Sequence, residues 1–255
     1  MMEIFGVGIT LDYRFALVLA AVFAGGFVRG YTGFGSALII VPGLAYLFGP
    51  REAVVMHSII EVPVILGLVP AAIKNADRNV SVPMIAMLAL TTPIGALVLS
   101  SIDTGSLKIA ISTIVLMMVA LLTVQKQISA LLGQGSTLAG GALGGLIQGA
   151  TAIGGPPIVT ALVARGDSPD ATRGNIIAVM SSVIFVSLVW FAVFELITRE
   201  ILVIGAVVSP ICLLATMAGS YVFRLGGGHN HRSVTLVILS LTALLTIAVT
   251  LAGEA

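Results

Sequence analysis

Residues 25–35 read GGFVRGYTGFG and residues 144–154 read GGLIQGATAIG, so one glycine-rich motif occurs twice in the chain. Four glycines and one threonine are identical between the two copies. In a very apolar chain, a duplicated break of this kind is typical of secondary transporters, whose substrate site lies where the two repeats meet. The motif therefore predicts two structural repeats and places the candidate site at their junction.

The composition indicates a helical membrane protein. Only 9% of the residues are charged, 58% are hydrophobic, and the mean hydropathy is +1.15, whereas soluble domains contain about 25% charged residues. The apolar runs are continuous over roughly 15–23 residues, which suits helices that cross the bilayer, and they do not alternate as barrel strands do. We therefore predict an all-α, polytopic integral membrane protein.

The chain divides into two halves whose apolar segments are separated by similar breaks. Charged and glycine-rich breaks separate apolar segments at 12–30, 35–48, 53–73, 80–101, 106–124, 137–151, 155–164, 173–195, 201–223 and 233–252. The first two segments, and likewise the sixth and seventh, are joined by glycine or proline turns, which indicates broken helices or tight hairpins. Pro93 and Pro210 lie in corresponding segments. This predicts a first transmembrane repeat at 1–124, a linker at 125–136 and a second repeat at 137–255.

The basic residues favour an inverted arrangement of the two repeats. If each broken pair enters and leaves on one side, two groups of basic residues face opposite sides, namely Arg14, Arg51, Lys108 and Arg199 against Lys74, Arg78, Lys126, Arg165, Arg173, Arg224 and Arg232. The larger group is then expected to be cytoplasmic, with both termini outside. Counting each pair as one crossing divides the basic residues five against six, which favours neither orientation.

The breaks themselves are predicted to form an anion site. Each break starts a new short helix, whose free N–H groups and positive dipole end attract anions. Backbone N–H groups at the turns and neutral side chains beside them would complete the site. Tyr31 would add a phenol donor or an aromatic wall. The other residues predicted to bind the anion are Thr32, Gly33, Gly35, Ser36, Gln148, Thr151, Gly154 and Gly155. Packing between helices is the competing interpretation for the glycines.

Arg29 is a charge inside the first motif, where the second copy has neutral Gln148. A guanidinium at membrane depth costs about 3 kcal/mol or more unless it is paired or faces water. One interpretation is bidentate recognition of an oxyanion. The other places Arg29 near a membrane face, where it extends to the surface or pairs with an acid.

His57 and Glu61 are candidates for proton coupling. They are four residues apart and therefore share one helix face. Both groups change charge on titration, although Glu61 would alternatively serve only to neutralise Arg29. Asn175 occupies the position of His57 in the second repeat and is expected to be a neutral hydrogen-bonding support.

Other classes of site receive little support from the sequence. Cys212 is the only cysteine and lies in an apolar run, so packing explains it. His229 and His231 lie in a polar loop and are interpreted as exposed side chains; we predict no metal site and no cofactor. A net charge of +1 offers no basic surface for nucleic acid. The run 15–24 lacks a basic segment before it, so we expect it to be retained as the first helix.

The paired motifs resemble those of the TauE/SafE sulfite exporter family, which is also grouped as the sulfonate uptake permease superfamily. The resemblance is carried by GYTGFGS at 30–36 followed by Pro42, and by GATAIGGPP at 149–157. It extends over essentially the whole chain. It implies a multi-pass inner-membrane carrier of small anions such as sulfite, sulfoacetate or other organosulfonates, with the bilayer and the anion as partners.

Several alternatives remain open at this stage. An anion channel or a membrane scaffold without transport fits the same hydropathy pattern, and a homo-oligomer is compatible with it. Ser36 and His57 raise the idea of an intramembrane serine hydrolase, but Ala37 follows the serine and the duplication has no role in such a pair. We therefore predict no catalytic residue and no enzyme activity. The substrate, the direction of transport and the coupling ion are not determined by the sequence.

Overall fold

The computed structural model describes residues 2–4, 7–9, 13–67, 76–132 and 136–225. Strands Met2–Ile4 (β1) and Val7–Ile9 (β2) form a short antiparallel hairpin. The helices that follow are α1 (Tyr13–Thr32), α2 (Ser36–Phe48), α3 (Pro50–Ile60), α4 (Arg78–Ser101), α5 (Thr104–Thr123), α6 (Gln125–Leu132), α7 (Ser136–Thr151), α8 (Gly155–Ala164), α9 (Pro169–Val193) and α10 (Arg199–Leu225).

The all-α membrane fold is confirmed. Helices α1, α4, α5, α9 and α10 are long and apolar enough to span a bilayer, whereas α2 and α8 are shorter apolar helices. The first nine predicted segments coincide with helices to within a few residues, except that residues 68–73 of the third segment lie outside the described residues. A turn at Glu61 interrupts the third segment, after which residues 62–67 are again helical. Helix α6 lies within the predicted linker.

Some sequence predictions lie outside the described residues. These are the tenth apolar segment at 233–252, the loop histidines His229 and His231, and the basic residues Lys74 and Arg232.

Short polar side chains fix where several helices begin. Asp77 precedes α4 and accepts a hydrogen bond from the backbone N–H of Asn79 at 2.9 Å. Asp103 does the same for α5 through the N–H of Ser106, also at 2.9 Å. These carboxylates satisfy N–H groups that have no partner inside the helix, and their charge suits the positive end of the helix dipole.

The turn between α1 and α2 is built by the first glycine motif. Gly33 has a φ of 88° and Gly35 a φ of 91°, a backbone conformation that strains residues with a side chain. The N–H of Gly33 donates to the carbonyl of Arg29 at 2.8 Å, and the N–H of Phe34 donates to the Thr32 hydroxyl at 3.2 Å. The motif therefore ends one helix and starts the next within four residues.

The second motif builds the corresponding turn between α7 and α8 with the same bonds. The N–H of Ala152 donates to the carbonyl of Gln148 at 2.8 Å, and the N–H of Ile153 donates to the Thr151 hydroxyl at 3.3 Å. Ala152 has a φ of 60° where the first copy has Gly33. The threonine shared by both motifs thus has a structural role in the turn.

Each broken pair is an antiparallel hairpin rather than one interrupted helix. A methyl group on Gly25 would lie 2.5 Å from Cγ1 of Ile40, and one on Gly43 would lie 2.7 Å from Cβ of Ala21. Positions later in α2 therefore face positions earlier in α1. The structure selects the hairpin from the two alternatives left by the sequence.

The second pair packs in the same way. A methyl group on Gly140 would contact Cβ of Ala161, and one on Gly144 would lie 2.5 Å from Cγ1 of Ile158. We call the pair α1–α2 hairpin 1 and the pair α7–α8 hairpin 2.

Each hairpin packs against a long helix of the opposite half of the chain. Helix α1 lies beside α10, where the Thr216 hydroxyl donates to the carbonyl of Gly26 at 3.0 Å and the Ser220 hydroxyl donates to that of Gly30 at 3.1 Å. From the first contact to the second, the residue number rises by four in each helix, so the two helices are parallel. The glycines are needed because any side chain on Gly30 would collide with the backbone at Thr216.

Helix α7 lies beside α4 in an equivalent parallel arrangement. A methyl group on Gly141 would lie 2.7 Å from the carbonyl oxygen of Met84, and one on Gly145 would lie 2.5 Å from that of Leu88. Small residues permit this backbone contact between membrane helices. The packing interpretation of the glycines therefore applies to these faces.

The two hairpins enter the molecule from opposite ends. Because α10 runs parallel to α1, its first residue, Arg199, lies at the same end of the molecule as Tyr13. A short loop joins Arg199 to Val193, so the last residue of α9 lies at this end too. Pro169 then lies at the other end of α9, next to Ala164 of hairpin 2. Hairpin 1 thus opens toward the Tyr13 end and hairpin 2 toward the Pro169 end, which is the geometry that inverted repeats require.

Candidate functional site

The two hairpin turns, residues 32–36 and 151–155, pack side by side around a small cavity. Met180 and Ile184, near the middle of α9, form part of its wall. The cavity therefore lies about half-way between the two ends of the bundle. Among the predicted site residues, those that line it are Arg29, Gly35, Ser36, His57, Glu61, Gln148 and Gly155.

A buried polar network occupies one wall of the cavity. Nε of Arg29 lies 3.2 Å from Oε2 of Glu61. The Ser36 hydroxyl donates to Oε1 of Glu61 at 2.5 Å and lies 3.1 Å from Nε2 of His57. Each of these four residues is at most 4% exposed. Arg29 does not extend to a membrane face, so that interpretation was wrong, and the pairing with Glu61 is observed.

Among the described residues, one guanidinium group and one amide group in the cavity wall each have a nitrogen donor without a partner. Nη1 of Arg29 donates to the carbonyl of Gly33, but Nη2 is buried and unpartnered. Gln148 accepts from the N–H of Gly154 at 3.0 Å, which leaves its Nε2 buried and unpartnered as well. Buried N–H groups are rarely left without an acceptor. These two groups come from the same position of the two motif copies, and both suit an oxyanion.

The helix starts at the two turns contribute unequally. Neither Gly35 before α2 nor Gly154 before α8 provides a side-chain cap, so the dipole of each helix end is not offset by a capping oxygen. Pro156 and Pro157 lack N–H groups, however. At its start, α2 therefore retains more backbone donors than α8 does.

Other predicted site residues lie away from the cavity. The Thr32 and Thr151 hydroxyls donate to backbone carbonyls of their own helices, at 2.9 Å to Val28 and 2.8 Å to Ile147. We therefore assign both hydroxyls to the turns instead of to ligand binding. Gly33 and Gly154 are likewise backbone components of the turns and do not line the cavity.

Two further predicted residues support the packing near the Pro169 end. Tyr31 packs edge-on against Phe223, with ring centroids 5.7 Å apart. Asn175 accepts a hydrogen bond from the N–H of Asp77 at 2.8 Å and so holds the start of α4. Asn175 is a polar support, as expected, but it does not line the cavity beside His57 and Glu61.

The arrangement of Ser36, His57 and Glu61 does not favour hydrolysis. In a serine hydrolase the histidine lies between the serine and the acid, and the acid holds Nδ1 of the histidine. Here the carboxylate binds the serine directly, and Nδ1 of His57 has no partner. The imidazole is therefore not oriented as a general base by the acid.

The sequence did not identify the apolar part of the wall. Met180, Ile184 and Leu38 line the cavity, but an apolar residue on a membrane helix looks the same whether it faces lipid, a neighbouring helix or a site. Only the packing of α9 across both hairpins distinguishes these positions.

A family model described as "Sulfite exporter TauE/SafE" matches residues 17–246. The match includes both glycine motifs, both hairpins and all residues of the cavity wall. Comparisons with curated proteins and with solved structures give no match.

Proposed function

The chain belongs to the TauE/SafE sulfite exporter family, and from this premise we propose that it exports small sulfur-containing anions across the inner membrane. It is a multi-pass membrane protein of a transporter family. The candidate substrates are sulfite, sulfoacetate and related organosulfonates, and the proposed binding site is the cavity between the two hairpin turns.

The observation that carries this proposal is the pair of unpartnered donors, Nη2 of Arg29 and Nε2 of Gln148, in the wall of one buried cavity. Sulfite and sulfonate groups present several oxygens on one sulfur atom. A planar guanidinium binds such oxygens through parallel hydrogen bonds, and a neutral amide adds a further donor without further charge.

The size of the cavity supports alternating access. Its volume is about 10 Å³, which is roughly the space for one water molecule. A sulfur oxyanion needs the hairpin turns to separate, and each hairpin opens toward a different end of the bundle. Movement of one hairpin at a time would expose the same donors first to one side and then to the other.

The membrane potential favours export of an anion that moves without another ion. Moving one negative charge out of a cell with a negative interior gains about 2.3 kcal/mol per 100 mV. Such an anion would leave the cell without a coupling ion, whereas its uptake would require one.

A substrate panel in proteoliposomes tests the proposal. Saturable flux of sulfite or an organosulfonate that depends on its gradient supports a carrier. Flux that does not saturate supports an anion channel, and the absence of flux for every anion supports a scaffold.

We predict that Gln148→Glu abolishes anion transport while the protein stays folded. A glutamate keeps the acceptor for the N–H of Gly154 but replaces the unpartnered donor with a second carboxylate. Since like charges placed together cost several kcal/mol, flux and binding should fall by about tenfold or more. The matched control is Gln127→Glu, the same change at an exposed position of α6. Parental flux in the Gln148 variant would place the anion elsewhere.

The orientation in the membrane gives a second prediction. In a Cys212→Ala background, Ser106→Cys at the Tyr13 end and Gln127→Cys at the Pro169 end both present exposed thiols. Five described basic residues lie toward the Pro169 end (Arg78, Lys126, Arg165, Arg173 and Arg224) and four toward the Tyr13 end (Arg14, Arg51, Lys108 and Arg199). Gln127→Cys should therefore react with an impermeant reagent only from the cytoplasmic side, and Ser106→Cys only from outside. The reverse pattern would invert the proposed orientation.

A further inference from the structure

Glu61 contacts two donors in the wall of the proposed anion site. Its carboxylate lies 3.2 Å from Nε of Arg29 and accepts the Ser36 hydroxyl at 2.5 Å. Both donors line the cavity, as Glu61 itself does, and Glu61 is fully buried. In this conformation the protein's own carboxylate therefore fills the place of a bound oxyanion.

The net charge of the cavity determines whether a proton must bind together with the anion. Among the described residues that line it, the charged or titratable side chains are Arg29 from α1, His57 from α3 and Glu61 from the turn after α3. The Cys212 thiol of α10 is a further titratable group close enough to interact with Glu61. The other elements contribute neutral groups to the wall, Ser36 of α2, Gln148 of α7 and apolar residues of α8 and α9.

With Arg29 and Glu61 both ionised and His57 neutral, the empty cavity has no net charge. A monovalent anion would add an uncompensated negative charge to a site closed to water, which is strongly unfavourable. Uptake of one proton by Glu61 removes that cost and frees Arg29 at the same time.

We infer that Glu61 is an internal competitor for the substrate anion and that one proton is taken up with each anion bound. This rests on the proposed function of the cavity. When the site is empty, the Glu61 carboxylate holds Arg29; when the anion arrives, Glu61 becomes a neutral carboxylic acid and the guanidinium turns to the anion. The anion and the carboxylate thus alternate as partners of the Arg29 guanidinium.

The structure also connects His57 to Glu61 through one hydroxyl group. The Ser36 oxygen lies within hydrogen-bond distance of Nε2 of His57, and its hydroxyl donates to Glu61. An imidazolium at His57 passes its proton to the Ser36 oxygen as the hydroxyl proton moves to the carboxylate, which leaves a neutral imidazole and a protonated Glu61. His57 and Glu61 are themselves 3.8 Å apart, so the hydroxyl is the shorter connection.

Proton uptake on binding tests the inference in the parent protein directly. The purified full-length protein is titrated with methanesulfonate, a monoanion that stays ionised between about pH 5 and pH 8. Calorimetry in two buffers with different ionisation enthalpies gives the protons bound per anion. We expect a value close to one wherever Glu61 is ionised in the empty protein, with the affinity falling by about tenfold per pH unit in that range. A value close to zero would overturn the inference.

Glu61→Gln should remove this linkage while keeping binding. The amide keeps one oxygen, which accepts from either the Ser36 hydroxyl or Nε of Arg29, and it does not titrate. The affinity should therefore be constant within about twofold across the same pH range, and proton uptake should be close to zero. Glu52→Gln is the matched control on the same helix, and it should behave as the parent. Unchanged proton uptake in the Glu61 variant would overturn the role of Glu61.

The same titrations distinguish a failure of the proposed function from a failure of the inference about Glu61. If neither methanesulfonate nor sulfite binds the parent protein at any pH, the cavity is not an anion site, and both proposals fail. If binding is present without proton uptake, the anion site stands and only the competition with Glu61 is refuted.

Discussion

Replacing Arg29 with glutamine is expected to abolish anion transport and to lower the free energy of unfolding by about 3–5 kcal/mol. The change removes the partner of a carboxylate that is 0% exposed, and an uncompensated buried charge accounts for most of the cost. Glutamine itself is compatible with the turn, because Gln148 occupies the same position of the second motif. Thermal unfolding in detergent and sulfite flux in proteoliposomes measure the two effects.

The double variant Arg29→Gln/Glu61→Gln separates stability from function. Without either charge, the cavity wall is neutral, so most of the lost stability should return, and the double-mutant cycle should show strong coupling. Transport should not return, because the guanidinium that binds the oxyanion is still missing. Recovery of flux in the double variant would show that Arg29 serves only to neutralise Glu61.

Replacing Gly149 with alanine is expected to prevent the two halves of the chain from packing. A methyl group there would collide with the carbonyl oxygen of Thr92 and lie 2.8 Å from the N–H nitrogen of Ala96. These are backbone atoms of α4, which cannot rotate away as a side chain can. The cost of such overpacking is about 1–3 kcal/mol and occasionally more, so we expect a marked loss of folded protein.

Gly67→Ala is the matched control for this prediction. Its new methyl group would lie 3.8 Å from Cδ1 of Leu213, an ordinary van der Waals contact. The yield of monodisperse protein and its thermal unfolding temperature should equal those of the parent. Equal stability of the Gly149 variant and the control would mean that α4 and α7 do not approach as closely as the structure shows.

The sequence alone determined the class of fold and the limits of most helices. Hydropathy identifies a membrane helix because lipid exposure demands a continuous apolar run, and glycine, proline and short polar caps mark helix ends through local backbone chemistry. For the same reason, the turn at 32–36 and its copy at 151–155 could be located from the motif alone. Each depends on residues within a few positions of one another.

The partners of the polar side chains were decided by the tertiary structure. Arg29 was open to two interpretations. Its contact with Glu61 joins α1 to the turn after α3, 32 positions later in the chain, which no local pattern specifies. The same applies to Ser36, which reaches His57 and Glu61 across two helices. Thr32 shows the converse, because its hydroxyl was a candidate ligand-binding group and the structure places it on a backbone carbonyl.

The roles of the glycines were also decided by tertiary structure. A glycine has no side chain, so the sequence shows that space is needed but does not show what fills it. Gly26 and Gly30 admit the backbone of α10, Gly33 and Gly35 provide left-handed turn geometry, and Gly155 alone of the second turn's glycines lines the cavity. These differences arise from contacts between residues that are distant along the chain, and such contacts exist only once the two hairpins have packed against opposite halves.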